Sequence, residues 1–140
     1  MEIVARVESS PNGHTVEVRT GPNARAIEIP AKGDGRGSAV NGGELLMLAL
    51  ATCYCNDLYR GAARLGIPLD GATVEASAVF PGVGLAATDI RYRATLQSAA
   101  DGSTLERLLR ETDAVAEVHN TVRSGVPVVL VHDGPAPHPS

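Results

Sequence analysis

Asn41-Gly42-Gly43-Glu44-Leu45-Leu46-Met47-Leu48-Ala49-Leu50-Ala51-Thr52-Cys53-Tyr54-Cys55 is the stretch on which the reading of this chain turns. It is rich in Leu and Ala, the strongest helix formers, and residues 44–65 contain no proline and a single glycine, Gly61. Gly66-Ile67-Pro68 then stops the pattern as a helix C-terminus does. The spacing predicts one long helix over 44–65. Its first half, 45–51, is apolar on every face, and such a helix must be enclosed on all sides. A chain of 140 residues has difficulty enclosing so long a helix by itself, which points to a second copy packing around it.

Outward from the helix, the pattern changes. Residues 1–7, 14–19 and 24–29 alternate with a period of two, Val16 and Val18 facing away from Thr15, Glu17 and Arg19. Ser9-Ser10-Pro11-Asn12-Gly13 and Gly21-Pro22-Asn23 are turn signals between them, so the first thirty residues read as a three-stranded meander. Residues 32–43, with five glycines, read as a flexible loop. After the helix come strands over 73–80 and 89–97, the second with Ile90, Tyr92, Ala94 and Leu96 on one face. Ser103-Thr104-Leu105-Glu106 has the form of a capping box. It opens a helical segment with Leu105, Leu108, Leu109, Thr112 and Val115 on one stripe, broken near Asp113 and ended by Gly125. Residues 126–131 read as a final strand. The order β-β-β-α-β-β-α-α-β is α+β, not an alternating parallel-sheet fold. Residues 1–132 read as one domain, and the Pro- and Gly-rich residues 133–140 as a flexible tail.

Composition narrows the function. The net charge is −4 and the Lys and Arg residues are scattered without a basic stripe, which argues against a nucleic-acid partner. The longest apolar run, 45–55, falls short of the roughly 20 residues a membrane span needs. The N-terminus lacks the charged and apolar regions of a signal peptide, so the expected location is the cytoplasm. Cys53 and Cys55 are the only cysteines, too few and too close together for a secreted disulfide scaffold.

The helix stretch also carries a resemblance. Asn41-Gly42-Gly43-Glu44-Leu45, followed by a Leu- and Ala-rich run and then Ala51-Thr52-Cys53-Tyr54, resembles the signature of the OsmC/Ohr family (osmotically induced and organic hydroperoxide resistance proteins). The family's usual form is Asn-Pro-Glu-Glu-Leu, a helical run, then Ala-x-Cys-Phe. The preceding meander, the Gly-rich loop, the later hairpin and the helix-rich segment agree, so the resemblance covers about residues 1–131. It implies an intertwined homodimer with the long helices at its centre and active sites between subunits. It implies a peroxidase, an oxidoreductase that reduces small organic hydroperoxides with a cysteine thiolate and carries no metal or organic cofactor.

By that resemblance Cys53 is the peroxidatic cysteine. It sits mid-helix, where the helix N-terminus cannot activate it, so a cation must, usually an Arg in this family. Arg19, Arg25 and Arg36 precede the helix and are the candidates, with Arg36 in the loop able to fold over a site. Glu44 matches the second Glu of the family pair. There are three departures. The Pro is Gly42, the first Glu is Gly43, and no cysteine occupies the position of the family's resolving cysteine, near residues 116–118. An external thiol must then recycle a sulfenic acid at Cys53. Cys55 points about 200° away from Cys53 on a helix, so a bond between them would require unwinding.

Plainer roles compete. A cysteine is often a small buried hydrophobe, the favoured role for Cys55. His119 reads as a satisfied structural histidine, and Tyr54 and Tyr59 as core or interface residues. Glu44 could simply complement the helix dipole. Cys-x-Cys within a helix splays the thiols apart, against zinc. Two functions follow: hydroperoxide reduction at Cys53, or a catalytically impaired dimer of the same fold binding an apolar small molecule at the subunit interface. A different thiol reaction on another electrophile is a third.

Overall fold

The computed structural model describes residues 1–34 and 36–131. The expected flexible tail, 133–140, lies outside the described residues. The elements are β1 (Ile3–Ser10), β2 (Gly13–Thr20), β3 (Asn23–Ile27), α1 (Gly42–Leu65), β4 (Gly71–Val79), β5 (Thr88–Gln97), α2 (Gly102–Val115) and α3 (Glu117–Arg123). This is the α+β order expected, without its final strand among the described residues. The residues divide into two compact units, one of Met1–Leu48 with Ser77–Ile90, the other of Ala49–Ala76 with the described residues from Arg91 onward.

In the first unit β1, β2 and β3 form an antiparallel meander in that order. Ser10 pairs with Gly13 across Pro11-Asn12, and Thr20 with Asn23 across Gly21-Pro22. Gly21 stands at φ +54°, where a side chain would be strained. Val16 and Val18 share the less exposed face of β2, as their spacing predicts, while β1 is exposed along its whole length. The glycine-rich loop is more tied down than its composition suggests. Ala31 bridges Ser38, Lys32 N–H donates to Gly37 O at 3.0 Å, and Gly37 N–H donates to Ser9 Oγ at 3.1 Å.

The second unit holds the core. Tyr54, Leu58 and Ala62 recur every four residues on α1 and bury against Leu108 of α2 and Ala116, with Tyr92, Ala94 and Leu96 of β5 packed against them. Gly61 lets α2 approach closely: a Cβ there would lie 3.1 Å from Leu108 Cδ1 and 3.3 Å from Thr112 Oγ1. The C-terminus of α1 is a Schellman motif, with Gly66 N–H donating to Ala63 O at 3.3 Å and Ile67 N–H to Ala62 O at 2.9 Å. Gly66 takes the left-handed φ of +70° that this motif requires.

Two expectations are corrected. The cap of α2 is Asp101, not Ser103: the Asp101 carboxylate accepts from Thr104 N–H at 2.8 Å, and Ser103, inside the first turn, donates its hydroxyl to the same oxygen at 2.9 Å. A carboxylate is a stronger acceptor than a hydroxyl, which moves the start of the helix back. The expected strand over 126–131 is absent among the described residues, where Val126-Pro127-Val128-Val129-Leu130-Val131 joins no ladder. A strand exists by its pairing, and here Val128 stands 99% and Leu130 87% exposed. The helical break falls at Ala116, three residues beyond Asp113, where ψ is +105°.

Candidate functional site

Cys53 lies in the second unit on α1, half-buried and unpaired. One helical turn later is Asp57, an ionisable residue at 8% exposure. The Cys53 thiol donates to Asp57 Oδ2 at 3.7 Å, and Arg60 donates to the other oxygen, Oδ1, in an ion pair. The spacings i, i+4 and i, i+3 place these three side chains in reach of one another on one helix. A thiol is a weak donor, so the carboxylate is chiefly held by Arg60, whose exposed guanidinium offsets the burial of a negative charge. The carboxylate also lines a cleft of about 240 Å³ together with Arg60, Arg64, Glu111 and Glu117. Neither this cleft nor a larger hollow of about 540 Å³, over Leu105, Leu109 and Asp113, is lined by Cys53.

Cys55 is half-buried and unpaired on the same unbroken helix. The geometry that argued against a Cys53–Cys55 bond is therefore the geometry present. Among the described residues no group of three His, Cys, Asp or Glu side chains could hold a metal ion.

Glu44, Arg19, Arg25 and Arg36 belong to the first unit. Asn41 Oδ1 accepts from Glu44 N–H at 2.8 Å, and Glu44 Oε1 accepts from Asn41 N–H at 3.1 Å. This reciprocal capping box starts α1 and gives Glu44 a structural part. At Gly43, where the resemblance expects a Glu, the Phe80 ring fills the space: a Cβ would lie 3.0 Å from its Cε2. Arg19 is committed locally, to Gly21 O at 2.7 Å and to Glu2 at 3.5 Å. Arg36 is exposed, and its backbone N–H donates to Asp34 Oδ1 at 3.0 Å. Neither Arg25 nor Arg36 has a guanidinium partner among the described residues.

A second polar cluster lies in the second unit, beside the position of the missing cysteine. His119 is buried and stacks edge-on against Tyr92 at 4.5 Å, with Tyr54 4.6 Å from Tyr92. Tyr54 donates its hydroxyl to Leu109 O at 2.7 Å, and Tyr92 donates to Asp113, which also accepts from Arg123. Burial, reinforced by the Asp113 charge, pushes the Tyr54 hydroxyl up to about 12. Burial and the bond to Asp113 push Tyr92 higher still. Burial alone would raise Asp113, but the bonds from Tyr92 and Arg123 outweigh it and hold its carboxyl below the usual range. Burial, with the Arg123 charge, lowers His119 against the opposing pull of Asp113. The expectation of a satisfied His119 fails: its two ring nitrogens have no hydrogen-bond partner among the described residues.

Asp57, Arg60, Asp113 and Arg123 were not anticipated. Asp57 could have been found, because a carboxylate four residues after a helical cysteine lies beside it. Asp113 and Arg123 meet across the break at Ala116, and no spacing rule foretells that.

A meander, a long cysteine-bearing helix, a strand pair and two short helices define an α+β thiol protein. The OsmC-like protein family matches residues 33–131, and the chain belongs to it. Among solved structures, an organic hydroperoxide resistance protein OsmC from Legionella pneumophila is similar at 18% identity and TM-score 0.60, over 88% of this chain and 90% of that one. An OsmC-like protein from Mycoplasma pneumoniae is similar at 13% identity and TM-score 0.66, over 90% and 89%. An organic hydroperoxide resistance protein from Vibrio cholerae, with captopril bound in one of its active sites, is similar at 20% identity and TM-score 0.57, over 88% and 85%. These likenesses establish the shared fold. Comparison with curated protein sequences yields no match.

Proposed function

We propose that this protein reduces small organic hydroperoxides with Cys53 and is recycled by an external thiol. Family membership supports a peroxide-related redox role. The observation that carries the finer reading is Cys53 itself: it holds the motif position on α1, is unpaired and half-exposed, and has ionisable Asp57 beside it. In the reaction Sγ attacks the distal oxygen of R–O–O–H, the O–O bond breaks, Cys53 becomes a sulfenic acid and R–OH leaves. A thiol then converts the sulfenic acid to a mixed disulfide with loss of water, and a second thiol restores Cys53. In this reading the cationic role falls to Arg36, on its charge and its place in the loop before α1, and the orienting role to Glu44, on motif position alone.

The acting species in this reading is a homodimer, with residues 1–132 as one domain of each subunit. Uncovered apolar side chains support it: Ile3 and Val7 on β1, Leu48 on α1, and Val128 and Leu130 in the unpaired segment 126–131. The location proposed is the cytoplasm; no described helix is long and apolar enough to cross a membrane.

The test is single-turnover oxidation of the reduced protein by cumene hydroperoxide, with the sulfenic acid trapped and located by mass spectrometry and Cys53→Ser as control. Rapid trapping at Cys53 that vanishes in the variant is expected. Reaction no faster than that of a free thiol would overturn the reading and favour a dimer that binds an apolar ligand without chemistry.

A further inference from the structure

We propose that Asp57 is the proton relay for Cys53: it takes the thiol proton and returns it to the alkoxide that leaves when the O–O bond breaks. The proposal rests on the hydroperoxide reading above and deepens it. Three observations carry it. The thiol points at Asp57 Oδ2, 3.7 Å away. The carboxylate is nine-tenths buried, so burial disfavours charge on either partner and a proton held between Sγ and Oδ2 suits the site better than one lost to water. The other carboxylate oxygen is bound by Arg60, whose cation answers the charge that Asp57 carries between turnovers in this reading.

The step balances without another reactant. The S–H proton moves to Asp57 Oδ2. Sulfur forms a bond to the distal peroxide oxygen with its hydrogen, and two electrons pass from sulfur into the breaking O–O bond. The proximal oxygen departs as R–O⁻, and the Asp57 proton completes R–OH, directly or across one water. Thiolate formation alone would leave an alkoxide, a poor leaving group, unprotonated in a partly dry site. The neighbouring charges on the cleft side are Arg60 and Arg64 of α1, Glu111 of α2 and Glu117 of α3; Arg64 and Glu111 approach each other at 3.8 Å, and Glu111 also accepts from Arg107. Arg60 is therefore the cation that answers Asp57 directly.

The test uses two electrophiles on the full chain. Iodoacetamide needs only a thiolate, because its leaving iodide takes no proton; cumene hydroperoxide needs a proton on the departing oxygen. At a pH where the thiol still carries its proton, Asp57→Asn lowers the ratio of the hydroperoxide rate to the alkylation rate at Cys53 about tenfold or more, because the departing oxygen then has no proton donor beside it. Arg60→Met, at an exposed side chain, removes the cation that answers the carboxylate, lowers the same ratio and serves if the first variant does not fold. Structural damage that hides Cys53 slows both reactions together and leaves the ratio unchanged. If wild-type Cys53 reacts rapidly with hydroperoxide and Asp57→Asn loses both reactions equally or neither, or Arg60→Met leaves the ratio unmoved, the relay is overturned and the peroxidase reading stands. If wild-type Cys53 is no faster than a free thiol, both fall together.

Discussion

In the first unit, Ile3 and Val7 of β1 stand 66% and 60% exposed, while in the second Leu58 and Leu108 are fully buried and Asp57 and His119 are sheltered beside them. No described residue of the first unit is buried; the second encloses even ionisable groups, although its segment 126–131 stands in water. The contrast separates two jobs. A core built on the four-residue stripe Tyr54, Leu58, Ala62 can hold polar groups at fixed positions, which a thiol site needs. A meander whose outer strand has no cover within its own unit is a surface for something else to complete, and in the dimer reading a second copy completes it.

The largest way to break that comparison is Leu58→Ala. Emptying a fully buried leucine site costs about 2–5 kcal/mol, measured by urea unfolding. Val7→Ala in the exposed β1 should shift the unfolding of isolated subunits by less than about 0.5 kcal/mol. In the dimer reading it instead raises the concentration at which subunits separate in sedimentation. A Val7 variant as costly as Leu58→Ala in dilute protein would mean that the first unit encloses its own core.

The next effect is pH-dependent and belongs to the second unit. His119 folds with its proton affinity below the ordinary value of 6.5, through burial first and then the Arg123 charge. As pH falls through that value the unfolded chain takes up the proton before the folded one, so stability is complete above it and declines below it. Asp113, held below its ordinary 3.8, acts in the same direction at lower pH. The melting temperature should therefore fall between pH 7 and pH 5, and His119→Phe should flatten that slope. A variant with the wild-type slope would place the titration elsewhere.

These two predictions also mark what the sequence made legible. The meander, the long helix and its stop at Gly66 rest on local periodicity and turn chemistry, and each appears within a few residues of its expected place. Cys53 was legible because a motif carries it. The segment 126–131 has the composition of a strand, but composition cannot supply a partner, and pairing is what makes a strand. His119 was misread because whether a buried ring is satisfied depends on groups brought together across the break at Ala116. Asp57 is legible by helical spacing alone, one turn after Cys53, although the family motif does not carry it.

A smaller effect tests the start of α1. Asn41→Ala removes the acceptor for Glu44 N–H and should cost about 1 kcal/mol in thermal or urea unfolding. Glu44→Gln keeps an oxygen for Asn41 N–H and should cost less. If Glu44→Gln nevertheless slows hydroperoxide reduction strongly, Glu44 does more than cap the helix.

The smallest effect bears on Gly43 and the ring that covers it. Replacing a helical glycine by alanine gains up to about 1 kcal/mol of helix propensity. Here the new Cβ would sit 3.0 Å from Phe80 Cε2 and 3.1 Å from Cζ, so the ring must give by a few tenths of an ångström. Phe80 is half-exposed and the contact is with the far end of its side chain, so it can move at modest cost. Gly43→Ala alone should therefore change stability by less than about 0.5 kcal/mol. In a Phe80→Ala background the obstruction is gone, and the same substitution should yield the larger propensity gain. The difference, a coupling of about 0.5 kcal/mol in a double-mutant cycle, measures how firmly the ring holds the place where the family's glutamate would stand. Full additivity would mean that Phe80 leaves that face of α1 free, and that the glycine there answers to something other than the ring.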